Sequence, residues 1–515
     1  MHSRAALPTW CSLVTAGALA GAALAAPTEL RGQASERWLG VPLPTGLALP
    51  PQLGVLADPG FTAPAPAIPA GEESFTELEG WRVQGYLESI VGFSKRSRER
   101  GERMWGRVSG LPDAEQTAAW LAGRFAAAGL THVEMQRYEA DAEMWWPEDW
   151  EARVLGHADL GRGSEDVVLG SAVPARGVQI PGGVLTAPLV YAGDIGDFAD
   201  VDVRGSVAVQ RIRPSSGAFS QRAAIQEGAQ ELLARGAVGV LNYIDQPGNM
   251  HVRDFGGCGI CFNIGGDDGA FLRDVAERAS RAGSENALHV RLELDARVRS
   301  GLAAHNVVGV AAGESDEVII VNAHLDGWYD AAGDNGDGLA VQLALARHFA
   351  RPENRPARTL VFVASGGHHS AGLNGPQSFV VMNPELAGRA VLVLNLEHVA
   401  QYLVDPDSWE VRREEQPMGW GVTNLAPFLV DLTDRGVERY GFALRPDYGT
   451  SVPGDLGRYD VLGVPRVQAI HAGPLYHTSA DVLESISVAG LERAARFYAF
   501  FIDGVAKATR EQIDP

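Results

Sequence analysis

The sequence predicts an α/β protein with a mostly parallel central sheet flanked by helices and a β-rich domain inserted into it. Three observations predict this. From about residue 304 onward, apolar runs of strand length alternate with segments of helical periodicity. Between about 157 and 296 that alternation gives way to short Val-rich runs. In the last segment, polar and titratable residues recur where the apolar runs end, the edge at which open α/β sheets bind ligands.

A chain of 515 residues exceeds one ordinary core, so two or three domains are expected. The hydrophobic content of 46% and charged content of 21% are those of a soluble globular protein. A formal net charge of −21 repels nucleic acid and anionic lipid, so neither a nucleic acid nor a membrane is an expected partner.

Residues 1–25 read as an export signal. Arg4 supplies the positive start, an apolar stretch runs from Leu13 to Leu24, and Ala23-Leu24-Ala25 fits the small-x-small cleavage rule. The stretch is short and broken by Gly17 and Gly21, which argues against a membrane anchor. The expected location is therefore periplasmic or extracellular. Residues 26–75 are rich in Pro and Ala and read as a linker or a strap. Helical spacing of Val83, Leu87, Ile90 and Val91 follows. A second helix is marked by Asp113 and Gln116 as a capping box, by Ala118, Leu121 and Phe125 on one face, and by Gly129 as a stop. Val133–Tyr138 reads as a strand. Residues 76–156 are thus assigned with 297–515 to one domain, and 157–296 to the insertion.

In the insertion, the strands expected are Asp166–Leu169, Leu189–Tyr191 and Ser206–Gln210, and one helix over about Ser220–Arg235 leads into Gly236–Tyr243. This predicts a compact β-rich domain with few helices and no catalytic constellation. Cys258 and Cys261 admit a small disulfide loop, a redox pair or half a zinc site. No second cysteine pair follows, so a four-cysteine zinc site is excluded. In an oxidising compartment the local disulfide is the first expectation.

The segment from about 304 is expected to hold strands at Asn306–Val310, Val318–Ala323, Thr359–Ala364, Ala390–Leu396 and Arg466–Ile470. Its helices are expected at Gly338–Ala350, Gln377–Val381, Leu425–Tyr440 and Val488–Phe501. Polar groups follow the strands. After the second come His324, Asp326 and Asp334; after the third, His368 and His369; after the fourth, Glu397; and a later loop carries Tyr476-His477-Thr478. Imidazole and carboxylate together at one sheet edge suit a divalent transition metal, with zinc the default. Asp330 and Asp337 read as solvated loop carboxylates, and no role is assigned to His398 or His471.

These residues resemble the zinc-dependent exopeptidase family that includes bacterial aminopeptidases and glutamate carboxypeptidase II. His324-Leu-Asp326 matches its first motif, Asp334 its metal-bridging aspartate, Glu397 its later acidic ligand, and Tyr476-His477-Thr478 its last motif. Residues 157–296 resemble the protease-associated (PA) domain found in such enzymes, notably at Ala237–Tyr243. The resemblance implies one or two zinc ions held by His324, Asp334, Glu397 and His477, and a peptide or N-acyl amino acid as substrate. It implies that Asp326 orients His324.

One departure stands out. The family's Glu-Glu pair, a general base followed by a metal ligand, is missing. Aligned on the strand Thr359–Ala364, His368 takes the place of the base and His369 that of the ligand. Aligned on Gly372–Gly375, His369 and Ser370 stand there instead. The strand alignment is preferred because loops accept an extra residue more easily than strands. Imidazole is both a zinc ligand and a competent base near neutral pH. The leading expectation is a secreted metal-dependent hydrolase, an aminopeptidase-like exopeptidase or related amidase. Two alternatives stay open: a non-catalytic receptor or binding protein with a degenerate metal site, and a single-zinc acyl or cyclising transferase.

Overall fold

The structure is a computed structural model, and the residues it describes are 37–43, 64–156, 165–198, 200–213, 218–253, 258–283, 288–405 and 408–515. The expected export signal and most of the expected linker lie outside them. Among the described residues no helix is long and apolar enough to cross a membrane.

Two eight-stranded sheets organise the chain. Across the first, the order is Leu444–Gly449, Met418–Val422, Arg466–Ile470, Ala390–Leu396, Ser315–His324, Arg358–Ser365, Ala303–Ala311 and Thr131–Glu139. The four strands from Arg466–Ile470 to Arg358–Ser365 run parallel, and antiparallel strands flank them on both sides. Parallel strands covered on both faces need apolar residues at every position. Val318 to Ala323 meets that need except at Asn322, whose side chain donates to Asn395 on the next strand.

The two faces divide by the two-residue period of a strand. Ile319, Val321 and Ala323 pack under the helices Gly80–Glu99, Pro112–Ala128, Asp337–Phe349 and Val488–Lys507. Val318 and Ile320 pack under the helix Gly375–Met382 and the 3-10 segment Gly454–Leu462. Gly129 ends its helix in the left-handed region as expected, at φ 98°. The expected capping box does not form. Pro112 opens that helix, and Asp113 turns to Arg100 instead.

The second sheet is built from residues 144–299, in the order Val167–Val168, Met144–Val154, His289–Arg299, Val184–Asp194, Val207–Ile212, Gly239–Ile244, Cys261–Ile264 and Val173–Pro174. Two of its longest strands, Met144–Val154 and His289–Arg299, have charged residues and Pro147 in them, which argues against a strand on sequence. Pairing survives because the register shifts between Asp295 and Ala296, opposite Pro147. Helices Ala218–Ala234 and Gly266–Arg281 cover this sheet, so it carries one helix more than expected. Cys258 and Cys261 are joined as a disulfide.

The two cores meet at the loop after His324. Leu325 and Ala332 belong to the core of the first sheet, whereas Trp328 and Tyr329 pack into that of the second, beside Trp105 and Trp146.

Candidate metal centre

Parallel strands deliver their C-terminal ends to one edge, and here that edge is crowded with imidazoles and carboxylates. His324 is the last residue of its strand. Arg358–Ser365 passes through Gly366-Gly367 into His368 and His369. Gly367 has φ 78°, and a Cβ there would lie 2.5 Å from that of Leu373, so only glycine makes this turn. Ala390–Leu396 leads into Glu397 and His398. Asp334 sits in the turn Ala332–Gly336 that opens the helix Asp337–Phe349. His477 lies on the long loop after Arg466–Ile470, with φ 55°.

Asp334 is the hub. Its Oδ1 lies 3.2 Å from His324 Nε2 and 3.2 Å from His398 Nε2. Its Oδ2 lies 3.0 Å from His477 Nε2 and 3.4 Å from His369 Nε2. Glu397 Oε1 stands 3.7 Å from His324 Nε2. Among the described residues, His324 Nε2, His369 Nε2, His398 Nε2 and both Asp334 oxygens are buried without a hydrogen-bond partner. Buried polar atoms are rarely left so. Orphaned imidazole nitrogens facing orphaned carboxylate oxygens are the donor set of a zinc-like cation. The groups His324–Asp334–Glu397 and Asp334–His369–His477 each bring three ligand atoms together, sharing Asp334, and His324–His368–His369 is a third such group. The residues therefore fit one or two ions.

A surrounding layer fixes these side chains. His324 Nδ1 donates to the main-chain carbonyl of Asp326 at 2.9 Å; the Asp326 carboxylate is farther, at 3.7 Å. That carboxylate accepts the main-chain N–H groups of His368 and His369, at 3.2 and 3.0 Å. Asp326 thus orients His324 by its backbone and the His-His turn by its side chain. His368 stacks on His324 at 4.1 Å between ring centroids, and its Nδ1 is 2.9 Å from Asp455 Oδ1. Asp455 also accepts from Ser365 and lies 3.3 Å from Arg458. Asp481 accepts the N–H groups of Gly333 and Asp334. Arg107, fully buried, donates to the carbonyls of Leu325, Asp330 and Ala331 and to Ser94. The second sheet contributes as well. Arg176 donates to the His369 carbonyl at 3.0 Å, the Arg253 N–H to the His477 carbonyl at 2.8 Å, and His251 and Ser479 bond reciprocally.

Burial opposes charge at Asp334, His368, His369 and His398, and the partners overcome it unevenly. Burial pushes the Asp334 carboxyl up, but His369, His324 and His398 hold it well below the usual range. For His369 burial prevails over the Asp334 carboxylate, and its pKa is lowered. For His368 burial and His324 push down while Asp455 pushes up, and the net direction is up. Burial lowers His398, yet the Asp334 and Glu397 carboxylates raise it to about 9. Burial raises the Asp481 carboxyl to about 6 against its two N–H donors.

All seven residues singled out from the sequence, His324, Asp326, Asp334, His368, His369, Glu397 and His477, lie in this cluster. His369 rather than Ser370 faces Asp334; the Ser370 hydroxyl donates to the Ser109 carbonyl. Asp330 and Asp337 are not solvated, contrary to expectation. Asp330 is buried against Trp105, Arg98 and Lys95, and Asp337 accepts the N–H groups of Gly338 and Ala400. Asp455 and Arg107 were not anticipated; Asp481 ends the polar run Tyr476–Asp481 and His398 follows Glu397, both visible in the sequence but without a role there. Asp455 and Arg107 come from segments with no motif of their own.

Residues 306–502 match the sequence model of Peptidase family M28. No curated protein matches the chain by sequence. Solved structures that share its fold include three aminopeptidases or peptidases. A peptidase M28 precursor from Shewanella amazonensis SB2B is 19% identical, with 85% of this chain and 97% of that one aligned and a TM-score of 0.62. A zinc aminopeptidase from Bacillus subtilis is 20% identical over 85% and 98% of the two chains, with a TM-score of 0.56. An aminopeptidase from Aneurinibacillus sp. strain AM-1 is 21% identical over 87% and 98%, with a TM-score of 0.53. The family match and the shared fold agree with the resemblance read from the motifs.

Proposed function

We propose that this protein is an exported, zinc-dependent hydrolase of peptide bonds, an aminopeptidase-like exopeptidase or related amidase, in which two histidines stand where its relatives have two glutamates. The match of residues 306–502 to a peptidase family supports the reaction class. The observation that carries the reading is the convergence of His324, His369 and His477 on the two oxygens of Asp334, with Glu397 alongside. His324, Asp334 and Glu397 would hold one ion, and Asp334, His369 and His477 the other. Zinc held there supplies Lewis acidity to the scissile carbonyl and to the attacking water.

The chain's own groups do the rest. His368 is the general base. It is the least buried imidazole of the turn, with its side chain 12% exposed. Asp455 fixes its ring by holding Nδ1, which directs Nε2 to take the proton, as a carboxylate orients imidazole in other hydrolases. Asp326 locks the turn so that the base and the ligand His369 move together. Residues 157–296, read as a PA-like insertion, would wall the cleft and limit substrate size. The substrates expected are peptides or N-acyl amino acids.

One observation favours a second reading, a binding protein with a degenerate site: neither family glutamate is present. The test separates the two. Protein purified without chelators is assayed on a panel of peptides and N-acyl amino acids, with metal counted in parallel. His368→Ala should lower turnover by about 10²–10⁴-fold at normal metal content, and His369→Ala should lose one metal equivalent. A metal-loaded parent that turns over no substrate supports the binding protein and sinks the hydrolase.

A further inference from the structure

The cluster holds one imidazole beyond the four singled out from the sequence. His398 follows Glu397 at the end of the strand Ala390–Leu396, with φ 56°, a backbone conformation that residues with a Cβ seldom adopt. Its side chain is 3% exposed. Its Nδ1 hydrogen-bonds to the main-chain carbonyl of His471. A carbonyl only accepts, so Nδ1 carries a proton. Its Nε2 has no hydrogen-bond partner among the described residues and lies 3.2 Å from Asp334 Oδ1 and 4.0 Å from Glu397 Oε1.

His324 is arranged the same way. Its Nδ1 donates to the Asp326 carbonyl, and its Nε2 lies 3.2 Å from Asp334 Oδ1 and 3.7 Å from Glu397 Oε1. Two imidazoles, each with Nδ1 tied to a main-chain carbonyl, thus present Nε2 to the same two carboxylate oxygens. Pinning the far nitrogen is how proteins orient a metal-ligating histidine. Ligand atoms 2.0–2.2 Å from a tetrahedral ion stand about 3.4 Å from one another. The four nitrogen–oxygen separations, from 3.2 to 4.0 Å, bracket that length.

We propose that His398 is a fourth protein ligand, so that His324, His398, Asp334 and Glu397 close one metal position. The other, made by Asp334 Oδ2, His369 and His477, keeps three protein ligands. Zinc sites with four protein ligands are structural, and those with three leave a place for water or substrate. The two positions therefore divide the work. The closed one fixes Asp334 and the strand ends around it, and the open one meets the substrate. The inference rests on the metal reading of the cluster given above.

The test uses the full chain stripped of metal and titrated with Co²⁺. Zinc affinities of both equivalents are read by competition with a chromophoric chelator, in the parent and in His398→Ala. The parent should take up two equivalents, the tighter one with the strong visible absorption of four-coordinate cobalt. Losing a mere supporting partner typically costs 10–100-fold in metal affinity, so losing a ligand should weaken the tighter equivalent by about 100-fold or more and dim its band. The weaker equivalent should change less. If both affinities in His398→Ala equal the parent's or rise, His398 is an imidazolium paired with Asp334 and the proposal fails. If the variant does not fold, X-ray absorption on the parent loaded with two zincs decides: four imidazoles shared between the two ions support the proposal, and three overturn it. A parent that binds no metal defeats the metal reading as well, an outcome distinct from a parent that binds two equivalents and is indifferent to His398.

Discussion

Replacing Asp326 with asparagine asks how firmly the His368-His369 turn must be held. The carboxylate is fully buried and accepts two main-chain N–H groups, one on each oxygen. Asparagine keeps the size and one acceptor but sets an NH2 against the second N–H. A hydrogen bond to a charged group contributes about 1.5–3 kcal/mol and a neutral one about 1 kcal/mol. One bond is therefore weakened by about 1 kcal/mol, and the other is lost with a buried donor left unpaired, at about 1–3 kcal/mol more. The sum, about 3 kcal/mol, falls on the turn that carries His369. If it is all expressed in that turn, the ion held by Asp334, His369 and His477 should bind about 100-fold more weakly. The other ion should be nearly unaffected, because His324 is oriented by the main-chain carbonyl of residue 326, which asparagine keeps. Chelator competition measures both affinities and urea denaturation measures stability. If Asp326→Asn binds both ions as tightly as the parent and unfolds at the same urea concentration, the carboxylate is not what fixes the turn.

Three further outcomes follow from the geometry. Arg107→Met should unfold at clearly lower urea and bind metal less tightly, since it takes the Arg107 donor from the buried carbonyls of Leu325 and Asp330, at about 1–3 kcal/mol each, and leaves the Ala331 carbonyl only the Gly336 N–H; a urea midpoint equal to the parent's would contradict this. Arg176→Ala should leave stability almost unchanged and weaken only the His369-dependent metal, by about tenfold at most; equal weakening of both equivalents would point to a global effect instead. Acid stability should depend on His348, buried in the helix Asp337–Phe349. Burial first, then Arg351 and Arg496, lower its pKa to about 4, and its Nδ1 faces the amide of Asn354. A depressed pKa gives stability that is complete above the unfolded value near 6.5 and is lost as pH falls through 4, about 3 kcal/mol in all. His348→Gln should flatten the urea midpoint between pH 6.5 and 4, and an unchanged slope would show that the acid-labile group lies elsewhere.

The four parallel strands of the first sheet were legible because burial on both faces forces continuous apolar runs, and Val318–Ala323 or Ala390–Leu396 have no other reading of comparable length; the edge strands Met418–Val422 and Leu444–Gly449 were not read. Met144–Val154 was not, because its hydrophobic residues are interrupted by Pro147 and by charges that the sheet tolerates on its exposed face. In the metal cluster, residues close to a motif in sequence were readable and those brought in by topology were not. Asp455 reaches His368 from 87 positions away, and Arg107 reaches Ala331 from 224. Asp330 and Asp337 misled for a different reason. Charge in a Gly-rich loop ordinarily marks solvent, whereas here one meets Trp105 and two cations and the other accepts two buried N–H groups, that of Gly338 in the first turn of its own helix and that of Ala400 beyond the strand Ala390–Leu396. His398 was in plain view beside Glu397, but spacing alone does not reveal a side chain turned inward by a positive φ.

The contacts made by Arg176, His251 and Arg253 bear on anyone who would re-engineer this scaffold. An insertion that merely sat over the cleft would be an exchangeable cassette, to be shortened or swapped in order to reshape what enters. The second sheet is tied to the loops of His369 and His477 by the Arg176 guanidinium, by the Arg253 N–H, by the Ser479 N–H to the His251 carbonyl and by the His251 N–H to the Ser479 hydroxyl. A replacement copied only for its outer shape would leave those fixings behind. A graft that carries over residues 250–253 and Arg176 as a fixed footing, and varies the far end of the sheet, is the route by which selectivity becomes adjustable without loosening the loops.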